Sequence, residues 1–248
     1  MPETNQDVVI ILGATGAVGR CLTQTIPSEG VTVVAAGRNT ERLQNLSGQG
    51  IETVECDASQ PGTIGAAIEN AGKIGTVRGI VNCIGSILLK PAHLTTDEEF
   101  HSVLQTNLMS SFEVLRAGAK VMRSHGGSIV FASTAAARIG IPSHEAIAAA
   151  KAGVEGMARS AAATYARYGI RINVVAPGLV KSEMSRQIWD NESAAAASRD
   201  MHALGRLGEP SDVASLIQWL LDPQNSWITG QIIAIDGGLS SVVQRQKR

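Results

Sequence analysis

The sequence predicts a single-domain α/β protein, a doubly wound parallel sheet of about seven strands flanked by helices. Three observations carry that expectation. Seven short runs rich in Val and Ile recur along the chain, with helical stretches between them. A glycine-rich turn follows the first run directly and opens a helix. No linker, fixed-period repeat or boundary divides the 248 residues, a length that suits one large α/β unit. Strands alternating with helices need crossover connections, which cover both faces of a parallel sheet.

The elements follow in order. Residues 8–12, 31–36, 52–56, 79–82, 128–132, 171–175 and 231–235 are too short for helices and read as strands. Residues 18–26, 40–46, 97–123, 143–168 and 210–221 read as helices. The stretch 143–168 is alanine-rich, which favours helix and permits close packing in a core or between subunits. Residues 182–204 are polar and irregular, with Trp189 and Met201 set among Asn, Glu, Ser and Ala, and read as a lid over a pocket. The basic tail 244–248 reads as solvated.

Composition narrows the function classes. The chain is 44% hydrophobic and 17% charged, and 21 basic against 22 acidic residues leave a net charge of −1. That balance gives no electrostatic footprint for nucleic acid or a membrane surface. No apolar stretch approaches the ~20 residues of a membrane span, and the polar, acidic start is unlike a signal peptide. Cys21, Cys56 and Cys83 lie far apart without CxxC or zinc spacing, so a reducing cytoplasm is the expected location. His93, His101, His125 and His202 show no metal spacing, and no metal site is assigned.

The first turn reads Gly13-Ala14-Thr15-Gly16-Ala17-Val18-Gly19. Glycines there permit a tight turn and let backbone N–H groups approach a pyrophosphate at a helix N-terminus. The spacing alone is weak evidence; between a first strand and a helix it is strong. About 20 residues on, a dinucleotide fold reads the adenosine ribose, and an acidic residue there favours NAD. This chain has Ala36-Gly37-Arg38-Asn39, with no carboxylate to repel a 2′-phosphate and a guanidinium to pair with it. NADP(H) is the expected cofactor. The alternative for Arg38 is a solvated arginine opening the next helix.

Further motifs appear in a fixed order: Cys56-Asp57, Asn82-Cys83-Ile84-Gly85, Thr106-Asn107-Leu108, Lys151, Asn173-Val174-Val175-Ala176-Pro177-Gly178 and a closing Asp236-Gly237-Gly238. In order and spacing the chain resembles the short-chain dehydrogenase/reductase family along essentially its full length. The resemblance implies a Rossmann fold and a homo-oligomer, a dimer or tetramer. It implies that Gly13, Thr15, Gly16, Val18 and Gly19 hold the pyrophosphate and that Asp57 contacts the adenine. Asn82, Lys151, Pro177, Gly178 and Val180 complete the cofactor set, with Ser182 where the family often has a carboxamide-binding threonine. Leu12 and Ala17 depart from the family's usual glycine loop.

The resemblance also implies a Ser, a Tyr and a Lys converging beside the nicotinamide, with an Asn in support. The register selects Thr134 for the serine and keeps Asn107 and Lys151, but it places Ile147 where the tyrosine proton donor belongs. Tyr165 and Tyr168 are no substitutes, lying about 21 and 25 Å beyond Lys151 along a continuous helix. His144 precedes Ile147 by three and Lys151 by seven, so it is a candidate proton donor on the same helical face. Its alternative role is to open the helix after Ser143. The expected function is an NADP(H)-dependent oxidoreductase interconverting a carbonyl and an alcohol with an atypical proton donor. A catalytically silent NADP(H)-binding sensor or scaffold and a non-redox lyase or isomerase are the alternatives.

Overall fold

The computed structural model describes residues 6–26 and 30–243; the chain's first five residues, 27–29 and the basic tail 244–248 lie outside them. The chain runs β1 (Asp7–Leu12), α1 (Ala17–Thr25), β2 (Val31–Gly37), α2 (Thr40–Gln44) and β3 (Ile51–Glu55). It continues through α3 (Thr63–Ile74), β4 (Thr76–Asn82), α4 (Asp97–Leu104), α5 (Ser110–Met122) and β5 (Gly127–Ala132). Then come α6 (Glu145–Tyr165), β6 (Ile170–Pro177), α7 (Arg186–Trp189), α8 (Glu192–Met201), α9 (Pro210–Leu221) and β7 (Ile232–Ile235).

The seven strands pair in parallel in the order β3-β2-β1-β4-β5-β6-β7. Both faces are covered, which explains the continuous apolar runs. Along β1, Val8, Ile10 and Leu12 join a core layer that includes Ile64, Val114 and Val154. Val9 and Ile11 point into the opposite layer with Leu22, Val213 and Ile217. The order reverses between β1 and β4, so the crevice beyond their C-terminal ends is the natural ligand site of such a sheet.

Three expectations need correction. Helix α3 escaped the sequence reading because Gly65 and Gly72 dilute its pattern, glycine being a poor helix former. Its Ile64, Ala67, Ile68 and Ala71 are nonetheless buried at helical spacing, and that burial holds the helix. The expected helix 97–123 is interrupted by a π-helical turn, Gln105–Met109. The segment 182–204 is not irregular but carries α7 and α8. Asn191 caps α8 by accepting from the Ala194 N–H, and Ala195 is buried.

Candidate active site

The glycine loop packs too tightly for side chains at two positions. Gly13 has φ +79°, and a Cβ there would stand 2.9 Å from the Cys83 carbonyl beyond β4. At Gly19 a Cβ would lie 2.4 Å from the Gly13 oxygen. The loop is thereby drawn down onto the switch point. Gly16 opens α1 with no side-chain cap, and the first turn carries no acidic residue. Val18 therefore sits in a helix start whose N–H groups and dipole face the crevice free of any internal anion.

The adenosine end lies beside it. Thr15 packs over Gly37 at the end of β2, where a Cβ would meet its side chain at 3.4 Å. Asp57, two residues past β3, accepts from the Ser59 N–H and hydroxyl at 3.0 and 2.9 Å. Those bonds, with the nearby Arg38 guanidinium, hold its carboxyl below the usual range. A polar cleft of about 640 Å³ opens between α1, α2 and the segment around α7, lined by Thr15, Arg20, Arg42, Glu183, Arg186 and Trp189. A bare helix N-terminus, a loop tightened by glycine and a basic flank fit a dinucleotide diphosphate.

The polar centre lies at the ends of β4 and β5. Lys151, on α6, is buried and donates from Nζ to the Ala132 carbonyl at 2.9 Å. Burial pulls its pKa down to about 8, against a small opposing effect from Cys83. The Cys83 thiol is pushed up to about 12 by burial, with Lys151 opposing. Both groups answer to the same dry surroundings. One turn past Lys151, buried Glu155 accepts from the Ser133 hydroxyl at 2.8 Å, tying α6 to the end of β5. Thr134 follows Ser133, and its side chain accepts from the Ala136 N–H at 3.3 Å.

Asn107 occupies the π-helical turn and is fully buried. Such turns spare carbonyls from the regular ladder and recur at functional sites. Its backbone carbonyl accepts from the Ser111 hydroxyl at 2.7 Å, and the same hydroxyl accepts from the Asn82 amide at 3.0 Å. The Asn107 side chain is bound twice to Ser86. Its Oδ1 accepts from the Ser86 N–H at 3.2 Å, and its Nδ2 donates to Ser86 Oγ at 3.0 Å and to the Val103 carbonyl at 2.9 Å. A Cβ at Gly85 would stand 3.1 Å from Asn107 Oδ1 and 3.5 Å from Lys151 Nζ, so the 85–86 segment lies directly against both groups.

Ile147 is 4% exposed, packed with Val103, Ala146 and Ala150 and flanked by Leu88 and Leu104. It fills an apolar cluster rather than facing an open cleft. His144 immediately precedes α6, and its Nδ1 pairs with the Pro142 carbonyl at 2.8 Å. Tyr165 ends α6, and Tyr168 lies beyond it beneath the Arg123 and Arg167 guanidiniums.

Beyond β6, which Pro177 ends, a Cβ at Gly178 would fall 2.5 Å from His202 Nε2. Val180 bridges to Gly208. The Ser182 hydroxyl pairs with Ser185 Oγ at 2.9 Å, and its carbonyl accepts from the Trp189 indole N–H at 2.7 Å. Glu183 pairs with Arg42 of α2 at 2.9 Å. The Leu179 N–H donates to buried His202 Nε2 at 3.1 Å, so Nδ1 carries the proton donated to the Ser198 carbonyl at 2.6 Å. A cavity of about 430 Å³ lies behind this latch, lined by Leu179, His202, Asp236 and Val242. Lys151, Thr134 and Asn107 are not among its walls.

The sequence reading missed Ser86, Glu155 and His202. Ser86 adjoins a motif glycine and was within reach of notice. Glu155 and His202 have no signal short of the packing that buries them.

Comparison with known proteins identifies the family. Residues 13–240 match the family model described as enoyl-(acyl carrier protein) reductase. The chain is 34% identical over 241 residues to carbonyl reductase family member 4 of Danio rerio, covering 94% of this chain and 97% of that protein. It is 31% identical over 247 residues to a 3-oxoacyl-(acyl-carrier-protein) reductase of Thermotoga maritima, covering 94% and 97%. Among solved structures, an actinorhodin polyketide ketoreductase with NADPH superposes with a TM-score of 0.87 at 26% identity, covering 98% of this chain and all of that one. The chain belongs to the short-chain dehydrogenase/reductase family.

Proposed function

We propose that the protein is an NADP(H)-dependent oxidoreductase that interconverts a carbonyl and an alcohol. The observation that carries this reading is the buried Lys151 set against Asn107 at the mouth of the glycine-loop crevice. Relatives named as carbonyl and 3-oxoacyl reductases support the reaction class. Arg38, with no carboxylate at 37–39, supports NADP over NAD.

The bound nicotinamide ring supplies or accepts the hydride. The protein does the rest. The start of α1 would hold the diphosphate, Arg38 would pair with the 2′-phosphate, and Asp57 would position the adenine. Pro177, Gly178, Val180 and Ser182 would border the nicotinamide end. Thr134 offers a hydroxyl to the substrate oxygen, and Lys151 places positive charge where an alkoxide develops.

Turnover of NADPH against aldehydes, ketones and quinones tests the reading. Oxidation of NADPH in preference to NADH, with Arg38→Glu reversing the preference, is the expected result. The buried Ile147 favours a second reading, a cofactor binder without turnover. Saturable NADPH binding with no oxidation on the whole panel would establish it.

A further inference from the structure

We propose that Ser86 is a catalytic residue and delivers the proton to the substrate oxygen in place of a tyrosine. The inference rests on the oxidoreductase reading above and names its missing acid.

The geometry singles out this hydroxyl. Ser86 follows Gly85, whose Cα faces Lys151 Nζ and Asn107 Oδ1 together. Asn107 cannot be turned over without loss, because Oδ1 takes the Ser86 N–H while Nδ2 serves both Ser86 Oγ and the Val103 carbonyl. Ser86 Oγ therefore accepts from Asn107 and must send its own proton elsewhere. Among the described residues that proton has no acceptor, although Ser86 is only half-buried beside the crevice. Lys151 spends one of its three N–H donors on Ala132, leaving two.

Two other candidates are out of place: Ile147 is buried in an apolar cluster, and His144 is turned back to Pro142. Thr134 Oγ accepts the Ala136 N–H and keeps its own proton to bind the substrate oxygen, whereas Ser86 is the hydroxyl held by the Asn107 amide.

The step balances. Hydride from the reduced dinucleotide bonds to the carbonyl carbon, and the C=O π pair moves onto oxygen. That oxygen bonds to the Ser86 proton as the Oγ–H bond breaks. Ser86 Oγ regains its proton from the Lys151 ammonium through a solvent water, and neutral Lys151 is reprotonated from solvent. The carbonyl is reduced, the dinucleotide is oxidised, and one solvent proton is consumed. A lysine whose pKa lies near 8 releases and recovers a proton readily at neutral pH.

Two measurements test the proposal. Ser86→Ala should lower kcat for carbonyl reduction about 10²–10⁴-fold, the usual cost of losing a general acid, and leave the Kd for NADPH unchanged. Ser86→Thr, which keeps a hydroxyl, should recover most of the rate. Independently of turnover, the Ser86→Cys thiol should react with iodoacetamide in the cofactor-free protein with a pKa below the ordinary ~8.5. Adding Lys151→Met should abolish that depression. An unchanged kcat in Ser86→Ala, or a thiol at position 86 that titrates alike with and without Lys151, overturns the proposal and leaves the oxidoreductase reading standing. A wild type that reduces no carbonyl overturns both.

Discussion

Lys151 binds its proton less tightly in the fold than in the unfolded chain, at about 8 against 10.5, and two pH effects follow. Between those values the native lysine is neutral while the unfolded one stays charged, so the unfolded state holds more protons and stability rises with pH. Cys83 acts in the opposite sense. Its thiol stays protonated in the fold up to about 12 instead of 9.0, so stability falls as pH rises above about 9. Denaturant midpoints of the wild type should therefore rise from pH 8 to 9, and Lys151→Met should flatten that rise. Carbonyl reduction should slow above about pH 8, because the charged lysine is the proton reservoir. Ile147 gives a separate test. A phenol forced among Val103, Leu88 and Leu104 overpacks a filled cluster, so Ile147→Tyr should destabilise the protein by about 1–3 kcal/mol in thermal or denaturant unfolding. It should not raise the reductase rate, because the ring starts inside the cluster.

At the scale of elements, the 182–204 segment is held at both ends by different means. The Arg42–Glu183 pair is exposed and contributes little to stability, as surface ion pairs do. His202 is buried and answers the Leu179 N–H and the Ser198 carbonyl together, joining α8 to the loop after β6. His202→Ala leaves both backbone groups without their partner, at about 1–3 kcal/mol for each buried group unsatisfied. Hydrogen exchange should show faster opening across α8 than in the sheet, and the KM for NADPH should rise more than kcat falls. The π-helical turn between α4 and α5 has a similar positioning role. It frees the Asn107 carbonyl for Ser111 and turns the side chain toward Ser86.

At the scale of the whole molecule, the described surface leaves large apolar side chains uncovered. Phe100, Met109 and Phe112 are exposed along α4, the π-helical turn and α5, and Trp227 near β7 is 98% exposed. β7 is also an edge strand with residues only half-buried. Unpaired edges and exposed aromatic groups of this kind favour association. Light scattering should therefore return a dimer or tetramer rather than a 25.9 kDa monomer, and Phe112→Asp or Trp227→Asp should shift it toward smaller species.

All seven strands and the glycine loop were legible in the sequence. Those features depend on local chemistry: apolar runs covered on both faces and glycines that no side chain can replace. Asn107, Thr134 and Lys151 were named only through the family resemblance and stand on three different segments. Helix α3 was not legible, because its glycines conceal a buried face that only the neighbouring β1 and α5 complete. Helices α7 and α8 were hidden likewise in a polar, alanine-bearing stretch. Sequence determined that this protein is built around a dinucleotide crevice and that no tyrosine reaches it from α6. Tertiary structure alone decided that Ile147 is buried in an apolar cluster, that His202 ties α8 to the loop after β6, and that Ser86 pairs with Asn107 while Gly85 lies beside Lys151. Those contacts join residues far apart in the chain, and their chemistry depends on burial and distance that no local pattern encodes.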